Sequence, residues 1–156
     1  MIGKPKPAKK IKTGTLRKKA HALMREVVLL RDGGCVCPPP SKGHSGARQA
    51  GHIIPSTKGG SRWSLWNVHE QCAACNGRHV RDYHIYQGWF EDKFGAEAWR
   101  NVREESKNDG LKPYELEESI VQFGDILAKQ KLWSELGQEC KPYITQAEIL
   151  SGAWKR

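Results

Sequence analysis

No stretch of this 156-residue chain stays apolar for anything near the ~20 residues that a membrane-crossing helix requires. No apolar segment follows the charged N-terminus either, so neither a membrane anchor nor a secretory signal is expected. The expected compartment is the cytoplasm. Acidic residues are scarce in the first part of the chain. Residues 1–90 hold 16 Lys/Arg against 4 Asp/Glu, a balance of +12, while residues 91–156 hold 10 against 13, a balance of −3. The first twenty residues carry Lys4, Lys6, Lys9, Lys10, Lys12, Arg17, Lys18 and Lys19 with no acid at all. A basic arm of this kind suits a polyanion partner, because each neutralised phosphate releases counterions. Cysteine is sparse: there are 5, and without an export signal they read as thiols or metal ligands rather than disulfides. Cys140 stands apart from the others and reads as a small buried thiol. No internal repeat is present.

The length fits one domain with a modest core. Residues 1–13 are too charged and too interrupted by proline to pack, and are expected to stay disordered until nucleic acid is bound. Residues 14–106 are expected to form the core and 107–156 a helical extension packed on it. Leu16, Ala20, Leu23, Met24, Val27, Val28 and Leu30 recur at helical spacing, predicting a first helix over about 15–31 that ends at Asp32-Gly33-Gly34. A Pro/Gly/Ser-rich stretch follows over 35–64. Within it Gln49–Ile54 reads as a strand; Trp66–Glu70 reads as a second, and a helix is expected from about Cys72 through Tyr83. Further helices are expected over about 85–94, 96–105, 114–131 and 145–150. Pro113 sits at the start of the longest of these, where its missing N–H costs nothing. Trp89, Phe90, Phe94 and Trp99 read as core. Trp63 and Trp66 offer either stacking on an unpaired base or burial against the hairpin.

Two cysteine pairs bracket a set of polar residues. Cys72-x-x-Cys75 has the spacing by which two thiolates reach one ion from a turn leading into a helix, and Cys35-x-Cys37 is one residue tighter. Together Cys35, Cys37, Cys72 and Cys75 offer a four-thiolate structural zinc site, with His44 able to replace one of the first pair. Between the pairs lie His52, in the first strand, and Asn67, on the opposing second strand, with Asn76 directly after Cys75. Cutting a phosphodiester takes a base for water and a divalent ion to stabilise charge on phosphate and leaving oxygen. His52 fits the base. Asn67 offers a carbonyl to orient its ring, and the amide oxygen of Asn76 suits Mg2+ or Mn2+. Lys42, Arg48, Lys58, Arg62, Arg78 and Arg81 cluster around these residues and could hold a DNA backbone without reading bases. Taken singly, each is as well explained as a solvated surface charge, and a lone histidine in an apolar strand is more often a core residue.

These residues resemble an HNH endonuclease motif in its His-Asn-Asn form. Ala50-Gly51-His52 followed by Asn67-Val68-His69-Glu70-Gln71-Cys72-Ala73-Ala74-Cys75-Asn76 is similar in particular to the phage NinG/Rap recombination nucleases, over roughly residues 16–130. The resemblance implies an α+β fold: a small ββα-metal (His-Me finger) core with a four-cysteine zinc knuckle, an N-terminal helix and a C-terminal helical region. It implies a metal-dependent endonuclease acting on branched intermediates such as Holliday junctions and D-loops, in the cytoplasm of the bacterial host. By it His52 is the general base, Asn67 the orienting residue and Asn76 a ligand of the catalytic ion. The four cysteines are zinc ligands. Many HNH enzymes place Asp before the catalytic His; here Gly51 stands there, as in NinG/Rap, so one ligand is unassigned. His69 fills the gap on one reading and His79, where the family carries Lys, on another. The family's first cysteine pair is also one residue wider. Alternative readings are a general HNH nicking endonuclease and a non-catalytic zinc module that binds DNA. Symmetric resolution of a junction needs two cuts, which would suit a homodimer.

Overall fold

A computed structural model describes residues 12–38, 43–55, 57, 59–79 and 81–135. Helix α1 (Thr13–Asp32) leads into strand β1 (Arg48–His52), a short 3-10 turn (Gly60–Trp63) and strand β2 (Val68–Cys72). Helices α2 (Ala73–His79), α3 (Tyr83–Phe94), α4 (Ala96–Glu105) and α5 (Pro113–Glu135) follow. The basic arm at 1–11, Cys140 and the helix expected at 145–150 lie outside the described residues. So do Lys42 and Lys58.

The chain is α+β, and among the described residues its only sheet is β1 paired antiparallel with β2. The register sets Arg48 opposite Cys72, Gln49 opposite Gln71, Ala50 opposite Glu70, Gly51 opposite His69 and His52 opposite Val68. Strand, strand, helix is therefore the observed order of β1, β2 and α2, as expected, with both strands shifted from their predicted positions. The helix expected from Cys72 through Tyr83 is instead two. The amides of Arg81 and Asp82 both donate to the Arg78 carbonyl, closing a turn that ends α2, and α3 restarts at Tyr83. Apolar periodicity continues across this break because both helices face the same cluster, so the sequence pattern gives no sign of it.

Two buried clusters sit on the sheet. In the first, Leu16, Ala20, Met24, Val27 and Val28 from α1 meet Leu116, Phe123 and Leu127 from α5, closed by Trp63, Leu65 and Val68. The second joins Cys37, Ile53, Ile54, Trp66, Cys72 and Cys75 to Tyr86 and Phe90 of α3 and Ala98, Trp99 and Val102 of α4. Trp63 and Trp66 are thus both core residues, as the packing reading required, and their indoles are not free to stack on a base.

A polar network ties α1 to β2. Arg31 donates through Nη1 to the Leu65 carbonyl at 2.7 Å and through Nη2 to the Val68 carbonyl at 2.8 Å, and pairs with Asp32 at 2.6 Å. Asp32 Oδ2 in turn accepts the Glu70 amide at 2.7 Å. Burial acts to raise the Asp32 carboxyl, but its contacts with His69 and Arg31 outweigh that and hold it well below the ordinary carboxylate range.

Candidate functional site

The loop over 43–47 folds onto the start of α2, where the amides of Ala73 and Ala74 donate to the carbonyls of Ala47 and Ser45. Gly46 makes the approach possible: its φ is +83°, and a Cβ there would come within 2.8 Å of Ala73 Cβ. The result brings His44 to Cys72 and Cys75, with His44 Nδ1 3.5 Å from Cys75 Sγ and 3.8 Å from Cys72 Sγ. Cys35 completes the group, and the four ligand atoms of Cys35, His44, Cys72 and Cys75 lie within 4.8 Å of one another.

Cys37, expected as the fourth ligand, stands outside this group. Its sulfur accepts from Arg78 Nη2 at 3.4 Å, and the residue packs in the second cluster. Cys35 and Cys37 sit two apart in one short segment, yet only Cys35 lies among the four donors, while Arg78 engages the Cys37 sulfur. Val36 is pinned in that segment by its amide, which donates to the Glu70 carbonyl. His44 therefore takes the place, as the sequence allowed.

Three sulfurs and an imidazole suit zinc. Burial alone would raise the Cys72 thiol, yet the backbone of Cys75, the His44 ring and the backbone of Ser45 outweigh it and bring it to about 6. Cys35 and Cys75 are pushed up, by burial first and by the crowding of neighbouring sulfurs after it. A divalent ion held there would supply the positive charge that lets three adjacent thiols ionise together. The donors fit.

His52, half-buried at the end of β1, holds its Nε2 2.9 Å from the Arg62 carbonyl. A carbonyl only accepts, so Nε2 carries the proton and Nδ1 is left with its lone pair. Burial lowers the pKa of this ring, and His21, Arg62 and His79 add electrostatic opposition to a charge on it, so His52 is neutral at pH 7.

Asn67 does not perform the orienting role itself. Its Oδ1 accepts the Ile54 amide at 2.7 Å, and Nδ2 donates to the Ile54 carbonyl at 2.9 Å and the Ser61 carbonyl at 3.1 Å. It is a fully buried staple between Ile54 and Ser61, and Ser61 adjoins Arg62, whose carbonyl meets His52. The sequence marked Arg62 only as a cation, and nothing in a linear motif flags a backbone oxygen.

Asn76, on α2, donates through Nδ2 to Gln49 Oε1 at 2.8 Å, which leaves its Oδ1 as the acceptor of that amide. One turn on, the buried His79 ring bonds the Ile53 carbonyl and stacks on Tyr86 at 4.5 Å. Burial lowers its pKa, so it too is neutral and keeps one nitrogen lone pair. His69 is another matter. Its Nδ1 lies 2.9 Å from Arg31 Nη2 and 3.5 Å from Asp32 Oδ2, its Nε2 lies 2.9 Å from the Trp66 carbonyl, and the ring is buried between Trp89 and Phe94. Both nitrogens are spent inside the fold, so His69 is withdrawn as a ligand.

The basic residues divide likewise. Arg48 pairs with the buried carboxylate of Glu70 and donates to the Leu29 carbonyl, locking β1 to α1. Arg78 donates to Cys37 Sγ and the Pro38 carbonyl. Both are structural. Arg62 lies over the Trp63 ring, 5.3 Å from its centroid, and Arg81 is exposed.

Fold and site together define a small α+β protein with a helix laid against a two-stranded sheet and a cluster of three cysteines and one histidine built to take a metal ion. A family model described as the bacteriophage lambda NinG protein matches residues 4–132, and the chain belongs to that family. No curated protein and no solved structure matches it.

Proposed function

We propose that this chain is an HNH-type, metal-dependent endonuclease of phage origin that hydrolyses phosphodiesters in branched DNA, Holliday junctions and D-loops being the substrates its family resemblance favours. The observation that carries the reading is the state of His52: a neutral imidazole whose Nε2 proton is committed to the Arg62 carbonyl and whose Nδ1 is the acceptor a general base needs. A core histidine would have both nitrogens satisfied, as His69 has.

In this reading His52 Nδ1 takes a proton from water as the water attacks phosphorus. The Arg62 carbonyl holds the ring, and Asn67 acts one step back by holding the loop that carries Arg62. Asn76 Oδ1 and the free nitrogen of His79 would hold a Mg2+ or Mn2+ ion, a donor set of oxygen and imidazole that fits either. Such an ion would supply charge stabilisation for the phosphate and the leaving oxygen. The group of three cysteines and His44, whose four donors form a closed site, is structural zinc. The lysine-rich arm, with Arg62 and Arg81, attracts the DNA backbone, and two copies would make the paired cuts that resolve a junction. The protein would act in the host cytoplasm.

The test is cleavage of a synthetic four-way junction beside a linear duplex of the same arms, with Mg2+ or Mn2+. The junction is cut in preference. Equal cutting would remove structure selectivity, and no cutting of either by the zinc-loaded protein would leave a zinc-containing DNA-binding module.

A further inference from the structure

Gln71 is fully buried on β2, yet neither its Oε1 nor its Nε2 has a hydrogen-bond partner. Leaving a buried amide unpaired costs about 1–3 kcal/mol, so such a group calls for a reason. Its position supplies one. The carboxamide lies over Gly51, occupying the volume that any side chain at 51 would need: a Cβ there would fall 2.5 Å from Oε1 and 2.6 Å from Nε2. Gly51 directly precedes His52, and Gln71 pairs across the sheet with Gln49, which accepts the Asn76 amide. One face of the hairpin thus carries Gln49, Gly51 and Gln71, with Asn76 of α2 laid against Gln49.

We propose that Gln71 is the ligand missing at position 51: its amide oxygen reaches, from the neighbouring strand, the divalent cation that Asn76 serves from the helix. The inference rests on the nuclease reading above and adds a residue to it. An amide oxygen is a hard donor that Mg2+ and Mn2+ accept. Carrying the donor on β2 instead of β1 requires position 51 to have no side chain, which is what the sequence provides. Gln49, bonded to Asn76, holds that amide with its oxygen turned out, a positioning role.

The experiment is a Mn2+ titration followed by electron paramagnetic resonance. It uses the full-length zinc-loaded chain bound to a four-way junction, with His52→Ala present throughout to slow strand cleavage. Gln71→Leu weakens Mn2+ binding about tenfold or more. It leaves junction affinity in the absence of Mn2+ unchanged and does not lower Tm, because it removes an unpaired buried amide. Gln71→Glu binds Mn2+ more tightly. Gly51→Asp combined with Gln71→Ala, which clears the space and returns a donor to the first strand, recovers the binding that Gln71→Ala loses. Unchanged Mn2+ affinity in Gln71→Leu overturns the assignment. Should that variant fail to fold, Gln71→Glu decides, and equal or weaker binding overturns it. Asn76→Ala separates the two levels of the argument. Loss of Mn2+ there with no loss in Gln71→Leu sinks the Gln71 ligand and leaves the nuclease standing. No Mn2+ site in the parent, or no effect of either variant, sinks both.

Discussion

The two buried clusters are held by different means. The α1–α5 cluster is built from long helices, 20 and 23 residues, whose aliphatic stripes face each other, so burial of apolar surface suffices to form it. The other gathers cysteines and aromatic rings from shorter pieces: the five-residue β2, the seven-residue α2, α3 and α4 of 12 and 10 residues, and the loop residues 33–38 and 43–47 with little apolar surface of their own. Elements that short do not hold together by packing alone. The cysteine–histidine group ties residues of that loop to β2 and α2.

Removing zinc breaks the comparison most severely. Structural zinc contributes on the order of 10 kcal/mol to small domains. Chelation, or Cys75→Ser, is therefore expected to expose the amides of β2, α2 and α3 to hydrogen exchange while α1 and α5 keep their protection. Simultaneous loss of protection everywhere would mean the two clusters are one cooperative unit.

Asp32→Ala attacks the seam between them. It leaves Arg31 buried without its counter-ion and the Glu70 amide without its acceptor, at an expected cost of about 3–5 kcal/mol in denaturant unfolding of the zinc-loaded protein. A cost under about 1 kcal/mol would show that water reaches the seam. Leu116→Ala, confined to the first cluster, is expected to cost about 2–5 kcal/mol and to leave zinc affinity unchanged. A matching loss of zinc affinity would again argue for one unit.

How far the sequence revealed this arrangement follows the same division. The α1 and α5 stripes repeat at helical spacing for several turns and were legible, as was α4. Cys72 and Cys75, as members of a group that could take a metal, were legible from local spacing. What was not legible depends on register or on backbone atoms. The contact of the Cys37 sulfur with Arg78, 41 positions away, has no local signature. The saturation of His69 depends on Arg31, 38 positions away. The Arg62 carbonyl has no side-chain signature. The overlap of Gly51 with Gln71 exists only once the two strands are paired.

Smaller effects sharpen the picture of the site. Burial places the His52 pKa below its ordinary 6.5, and the base must be neutral to work. Cleavage is therefore expected to be independent of pH through 7 and to fall only as acidification passes through that lowered value. An acid limb centred at or above 6.5 would show that the ring is solvated. Arg81→Ala removes one exposed cation and is expected to weaken junction binding slightly and to reduce the salt dependence of log K by about one unit. No change in slope would place Arg81 off the DNA.

The most direct test of the central claim is single-turnover junction cleavage by His52→Ala, compared with the parent at saturating protein and Mg2+. Loss of a positioned general base predicts a fall in rate of about 10²–10⁴-fold with junction affinity and zinc content unchanged. Cleavage at the parent rate would show that the imidazole held by Arg62 takes no part in the chemistry.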